Sequence, residues 1–499
     1  MAPDTPDAYD ALLSKYRRIS GLQDAGQLLS WDQQVMMPPG GTGARSRQLS
    51  ALSATSHELL TADEIGDLLG SVEGNVSGEQ ASAVREIRRQ YDRATRVPTE
   101  LVEQISIATS EALPVWEEAK ANDDFDAFAP TLEKMVELKR EYAAHIDPDE
   151  DPYAVLFADY EPYLELDTAD RVLSRLRDNL VPLIEAVGES DVEPPRPFAG
   201  TFDTSTQNEL SRDALSLLGY DWNRGRLDSS SHPFSTGTQF DSRITTRFKE
   251  ADPIDALTAT IHEFGHATYT LGLPQDKYGS PLGESRDLTV HESQSRLWEN
   301  HIGRSRAFWE RFLPSFKDRF PQVGDASADD AYRAVNRVYD DNYIRVEADE
   351  LTYHMHIVLR YEIEQALIHG DIEVSEVPQV WNDKMEEYLG IRPETDAEGC
   401  LQDIHWSHGS FGYFPTYSLG SVLSAQLFAS VEDAIPDVYD KVREGSFDDL
   451  HSWLTTNVHA HGKRYTTPDL VEEATGEEYT ADYFIDYATE KYSDLYDLD

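Results

Sequence analysis

Cysteine is almost absent. The 499 residues contain one, Cys400, which excludes an intramolecular disulfide and a Cys-rich metal site. Positive charge is scarce as well: Lys and Arg total 43 against 93 Asp and Glu, a formal net charge of −50. A surface of that sign repels phosphate backbones, so nucleic acid is excluded as a partner. Anionic membrane surfaces are disfavoured for the same reason. No run of 18 or more apolar residues occurs, and no transmembrane helix is expected. The start, MAPDTPDAYD, is acidic and polar and lacks the pattern of a secretory signal, so a cytoplasmic protein is the expectation.

What is present suffices for a folded core. Hydrophobic residues make up 39% and aromatics 10%, spread along the chain, which separates this acid excess from that of a solvating tail. Of the 43 cationic residues only 11 are lysine. An acidic, lysine-poor surface suits molar salt, where the Debye length falls to about 3 Å and self-repulsion is screened.

Helical periodicity dominates. Leu12, Leu13, Tyr16, Ile19 and Leu22 recur at three- and four-residue spacings and predict a helix over 9–29. Further helices are expected over 45–60, over 80–124 with a break at Val97-Pro98-Thr99 and Thr99 as N-cap, over 132–146 and over 168–187. The Pro-rich stretch 192–206 cannot be a long helix. Residues 228–248 are rich in Ser, Thr and Gly, and Ser242 to Phe248 alternate with β-branched residues, so one small sheet is placed there. From Pro253 the chain reads as helical again, with loops over 390–399 and 408–418. No linker or fixed-period repeat divides it. The expectation is an all-α fold with one small sheet, a single unit over 1–499 with two helical halves around a cleft.

The chemistry concentrates at His262-Glu263-Phe264-Gly265-His266. On a helix, His262 and His266 share a face one turn apart and can both address one Zn²⁺, with Glu263 in reach of a water as general base. The helical context is there: Asp252 suits an N-cap, Pro253 the first position, and Ile254, Leu257, Ile261, Phe264 and Leu271 form an apolar face. A catalytic zinc needs a third protein ligand. Glu284, Asp287, Glu292, Glu299 and His291 all lie downstream, and spacing does not choose between them.

Taken with His291-Glu292-Ser293-Gln294, the motif resembles the M32 family of metallocarboxypeptidases, the carboxypeptidase Taq type. Asp241-Ser242-Arg243-Ile244-Thr245 is similar to its DxRxT motif, Ile344 to Asp349 to IRxxAD, and Gly399 to Trp406 to GxxQDxHW. The stretch from Ser30-Trp31-Asp32 through Pro38-Pro39-Gly40 is also similar to the family. The resemblance implies a neurolysin-like deep-cleft fold, a homodimer, and a zinc carboxypeptidase that removes single residues from peptides with a free C-terminal carboxylate, with broad side-chain tolerance. The family's metal ligands fall on His262, His266 and Glu292, and its general base on Glu263. Co²⁺ or another divalent ion is an alternative to zinc.

The same resemblance points to Arg345 as the anchor for the terminal carboxylate, since a guanidinium fork matches a carboxylate bidentately. The competing reading pairs Arg345 with Glu347 or Asp349. His405 and Tyr417, with His408 and Tyr413 as alternates, are the candidate donors to the oxyanion. Alternatively these aromatics only line the cleft. Arg243 is a candidate for closing the far end of the groove, or simply a partner of Asp241. Gln402 and Asp403 are expected to orient neighbours, His232 to line the groove, and His354 and His356 to be structural. Two rival functions follow from the same residues: an oligopeptidase of this fold that cuts internally, and a non-catalytic peptide- or metal-binding scaffold.

Overall fold

A computed structural model describes residues 5–498. The polar start at positions 1–4 and residue 499, both inside the expected unit, lie outside the described residues. Among the described residues the fold is predominantly α-helical, with one three-stranded sheet: β1 (Gly225–Ser229), β2 (Phe234–Thr238) and β3 (Asp241–Thr246). The central strand β3 pairs parallel with β1 and antiparallel with β2. Ile244 and Leu227 are paired in that register and face the apolar core. The sheet begins at Gly225 rather than 228, because the Gly225↔Ser242 and Arg226↔Arg243 pairs extend it backwards. Among the described residues no helix is long and apolar enough to cross a membrane.

The expected helices form, mostly with longer ends: Thr5–Val35, Thr42–Leu60, Glu79–Arg96, Thr99–Asn122, Phe125–Ile146 and Leu166–Gly188. Three expectations need correction. Thr99 is not an N-cap: Pro98 occupies the cap position and Thr99 is already helical. The loop 408–418 is too long, since a helix starts at Pro415 and runs to Ala434, with proline at a position where its missing N–H costs nothing. A helix over Asp63–Val72 also forms, with Ile65, Leu68, Leu69 and Val72 buried.

Buried apolar residues form one large cluster and one smaller cluster. The smaller gathers Leu12, Tyr16, Ile65, Leu69 and Ile87 from the N-terminal helices. The larger runs through the rest of the chain and surrounds three helices that cross at the motif: Pro253–Gly272, Leu288–Arg296 and Pro415–Ala434. Two glycines permit these crossings. A Cβ on Gly265 would lie 2.5 Å from Gln294 O and from Ser295 Cα, and one on Gly420 would lie 2.4 Å from Glu292 Cβ. Helices packed side by side ordinarily keep axes about 8–10 Å apart, and glycine at the contact lets backbones approach more closely.

Candidate active site

The helix Pro253–Gly272 starts where the sequence placed it. The Asp252 carboxylate accepts from the backbone N–H of Ile254 and of Asp255. Leu257, Ile261 and Phe264 are buried, which turns His262 and His266 to the other side. Their rings stand edge to face with centroids 4.9 Å apart. Glu292, from the neighbouring helix, places Oε2 3.7 Å from His262 Nε2 and 3.5 Å from His266 Nε2. All three donor atoms lie within 4.8 Å of one another. Ligands at about 2.1 Å from a tetrahedral ion are about 3.4 Å apart, so the set fits a divalent metal with little movement.

The other ring nitrogens are already engaged. His262 Nδ1 lies 2.9 Å from Glu299 Oε2, and His266 Nδ1 lies 3.0 Å from the carbonyl of His291. Both contacts leave Nε2 free to face a metal. Glu292 Oε1 accepts from Arg296 Nε at 2.7 Å, which leaves Oε2 for the imidazoles. Burial alone would raise the Glu292 carboxyl, but Arg296 and the two imidazoles outweigh it and hold the group far below the usual carboxylate range. Glu299 behaves likewise, bracketed by Arg296 at 3.3 Å and Arg304 at 3.0 Å. Glu292, Arg296 and Glu299 are spaced by four and three residues, so one helical face carries all three. Past Arg296 this helix widens into a π-helical stretch, Leu297–Gly303, a form often found at functional sites.

Glu263, buried beside His262, opens on a cavity of about 810 Å³ that His262, Arg296, Glu299, Arg345 and Tyr353 also line. Arg345 is itself buried. Its partner is neither Glu347 nor Asp349 but Asp403: Nε and Nη2 donate to Oδ1 at 3.1 and 2.8 Å. Nη1 donates to the Tyr353 hydroxyl at 3.2 Å, and the backbone N–H donates to Gln402 Oε1. Three of the five N–H groups are thus used, leaving one on each terminal nitrogen, the geometry that a carboxylate accepts from end-on. Asp403 is held a second time by Arg360 Nε at 2.6 Å. Burial works against its charge, but the two guanidiniums keep it ionised far below the usual range.

The aromatic residues of the stretch from His405 to Tyr417, which ends inside the helix beginning at Pro415, meet Arg345 from the other side. Arg345 Cζ stands 5.2 Å from the Tyr417 ring, and the Tyr413 and Tyr417 rings meet edge to face at 5.2 Å. His405 lies 5.5 Å from Tyr413 between ring centroids. Burial lowers His405 to about 4, so at neutral pH it is an uncharged imidazole. Burial pushes the Tyr417 phenol well above its usual value, so it keeps its proton and can donate.

One comparison decides which family owns this site: residues 11–492 match the model of the carboxypeptidase Taq (M32) metallopeptidases. The chain belongs to that family. It is 38% identical to carboxypeptidase 1 of Bacillus subtilis, over 96% of this chain and 97% of that one. It is 38% identical to thermostable carboxypeptidase 1 of Thermus thermophilus, over 99% and 100%. The structure of the M32 carboxypeptidase of Deinococcus radiodurans R1 superposes with a TM-score of 0.95 at 37% identity, covering 98% of this chain and 100% of the other. That of Pyrococcus furiosus carboxypeptidase gives 0.94 at 38%, covering 97% and 99%. This M32 protein is a metallopeptidase, a hydrolase of peptide bonds.

Not every residue singled out in the sequence reaches the M32 centre. Arg243 forks onto Asp241, with Nη2 2.6 Å from Oδ2, and stacks 4.2 Å over Trp31 of the first helix. His408 and His232 are exposed, although Pro233, next to His232, lines the cavity. His354 Nδ1 lies 2.9 Å from Ser418 Oγ in the core. Among the candidates for a third ligand, Glu284 accepts from Tyr16 and Lys463, and Asp287 from Thr467. Arg296, Arg304, Tyr353 and Arg360 belong to the site although no motif announces them. The one available signal was the three- and four-residue spacing that puts Arg296 between Glu292 and Glu299.

Proposed function

We propose that this protein is a zinc-dependent carboxypeptidase that removes residues one at a time from peptide C-termini. The observation that carries the reading is Arg345, a buried guanidinium with two N–H groups left without a partner among the described residues, in the cavity that also holds His262 and Glu263. Two imidazoles and one carboxylate are a hydrolytic zinc set, and Co²⁺ is a workable substitute. A divalent ion held by His262, His266 and Glu292 would supply Lewis-acid polarisation of the scissile carbonyl and an acidified water. Glu263 takes the proton of the attacking water and returns it to the leaving amine. Arg345 binds the terminal carboxylate, with Asp403 holding its fork in place. Tyr417, with His405 and Tyr413, donates to the oxygen on which negative charge develops.

Side-chain tolerance is broad in this reading, with a terminal proline a poor substrate. We take the enzyme to be cytoplasmic in a cell rich in salt, a habitat that the acidic, lysine-poor composition favours, and a homodimer, as the family resemblance implies. An unblocked peptide and its C-terminal amide, incubated in high-salt buffer with Zn²⁺ or Co²⁺ and with a chelator control, test the core of it. Stepwise loss of residues from the free acid alone, abolished by chelator, is the expected result. Internal fragments from both peptides would make the protein an oligopeptidase and remove Arg345 from its role. No cleavage by folded, metal-bound protein would favour a binding scaffold.

A further inference from the structure

Glu364 sits on the helix Tyr353–His369, fully buried, and forms no ion pair among the described residues. Three neutral donors converge on it. The Trp406 indole N–H donates to Oε1 at 3.0 Å. The Tyr153 hydroxyl donates to Oε2 at 2.9 Å, and the backbone N–H of Gly412 to the same oxygen at 3.0 Å. Two of these donors belong to the loop 403–414. Each lies one residue from a candidate oxyanion donor: Trp406 follows His405, and Gly412 precedes Tyr413. The third belongs to the short helix Pro152–Phe157, which also fixes the loop by contact. Gly412 has φ +85°, and a Cβ there would lie 2.7 Å from Phe157 N, so the backbone is pressed against that helix.

We infer that Glu364 is a positioning residue for hydrolysis: by holding the loop at Trp406 and Gly412 it fixes where His405, Tyr413 and Tyr417 present their donors. The inference rests on those three groups acting on the oxyanion, as proposed above. Stabilisation of that kind depends on donors fixed before charge develops, and a loop free to drift by an ångström forfeits it. A carboxyl group can accept from all three donors through its two oxygens, whereas a Gln side chain must turn its NH₂ towards at least one of them. Burial lifts the Glu364 carboxyl to about 7 against the pull of these donors. The other ionisable groups around it are Arg360, one turn earlier on its own helix and bonded to Asp403, and the buried phenols Tyr153, Tyr160 and Tyr361.

The test compares Glu364→Gln, Trp406→Phe, the double variant and Tyr417→Phe in the metal-loaded enzyme, with kcat and KM on a free-acid peptide, metal content and melting temperature. The expected result is a fall in kcat of roughly ten- to hundredfold for Glu364→Gln and for Trp406→Phe, with KM and metal content held. The double variant should be no worse than the poorer single one, because both break the same link. A kcat unchanged in both single variants while Tyr417→Phe loses activity would overturn the positioning role and leave the oxyanion reading intact. Additive losses, or a kcat that falls only together with metal content and melting temperature, would also overturn it. An unchanged Tyr417→Phe would instead remove the parent reading. Should Glu364→Gln fail to fold, Trp406→Phe alone must lower kcat at constant KM and melting temperature, or the inference fails.

Discussion

His262 and Glu299 meet at 2.9 Å, Nδ1 to Oε2, on the side of the imidazole that faces away from Glu292. The carboxylate takes the Nδ1–H and so fixes the tautomer in which Nε2 is a free acceptor. Arg296 and Arg304 in turn keep that carboxylate ionised and in place. Removing such a partner ordinarily costs about 10- to 100-fold in metal affinity. Glu299→Gln should therefore raise the zinc dissociation constant by that factor. Titration of the apoprotein against a competing chelator measures it, and an unchanged constant would separate Glu299 from metal binding.

The crossing at Gly265 makes a sharper demand. An alanine Cβ there would meet the backbone of Gln294 and Ser295 at 2.5 Å, and backbone cannot swing aside as a side chain can. Gly265→Ala should destabilise the fold by about 1–3 kcal/mol and push Glu292 off the histidines. Loss of metal content before loss of helical signal on heating is the expected sequence. Gly40→Ala, at a glycine with nothing within 4 Å of its added Cβ, is the matched control.

The exterior makes its own prediction. A charge of −50 repels itself at low ionic strength, and raising salt to 1 M shortens the Debye length to about 3 Å. Melting temperature and activity should both climb as KCl rises from 0.1 M into the molar range. A protein already fully folded and active without added salt would show that the acidic surface has another cause.

Much of this was legible along the chain, because the determinants are local. The helix at Pro253 announces itself through Asp252, its proline and a spaced apolar face, and the two histidines follow from one turn of helix. Glu299 stood among the candidate ligands, but spacing cannot tell an atom that faces the metal from one that holds a ligand from behind. That distinction depends on the crossing that Gly265 permits. The Arg345–Asp403 pair joins residues 58 apart and was invisible for the same reason: the carboxylates nearest in sequence, Glu347 and Asp349, proved not to be its partners. Asp349 instead accepts from Asn342 and Thr352. The helix start at Pro415 was a missed local signal, since proline at a first helical position is a common beginning.

Glu364 gives the molecule a pH dependence that can be isolated. Its folded value of about 7 lies above the ordinary 4.5, so between those values the folded chain holds a proton that the unfolded chain has released. The stability linked to that proton is fully present below about 4.5 and is lost as pH rises through about 7. A shift of this size corresponds to roughly 3 kcal/mol as an upper figure. Glu364→Gln has no proton to lose. Whatever its absolute stability, it should gain on the parent protein as pH rises from 5 to 8, and the gap should stop changing above that. Denaturant unfolding of both proteins as apoprotein, in one buffer series with chelator, reads the difference without the proton release that accompanies metal binding. A constant gap across the series would mean that Glu364 ionises as an ordinary carboxylate does, and that the three donors outweigh its burial.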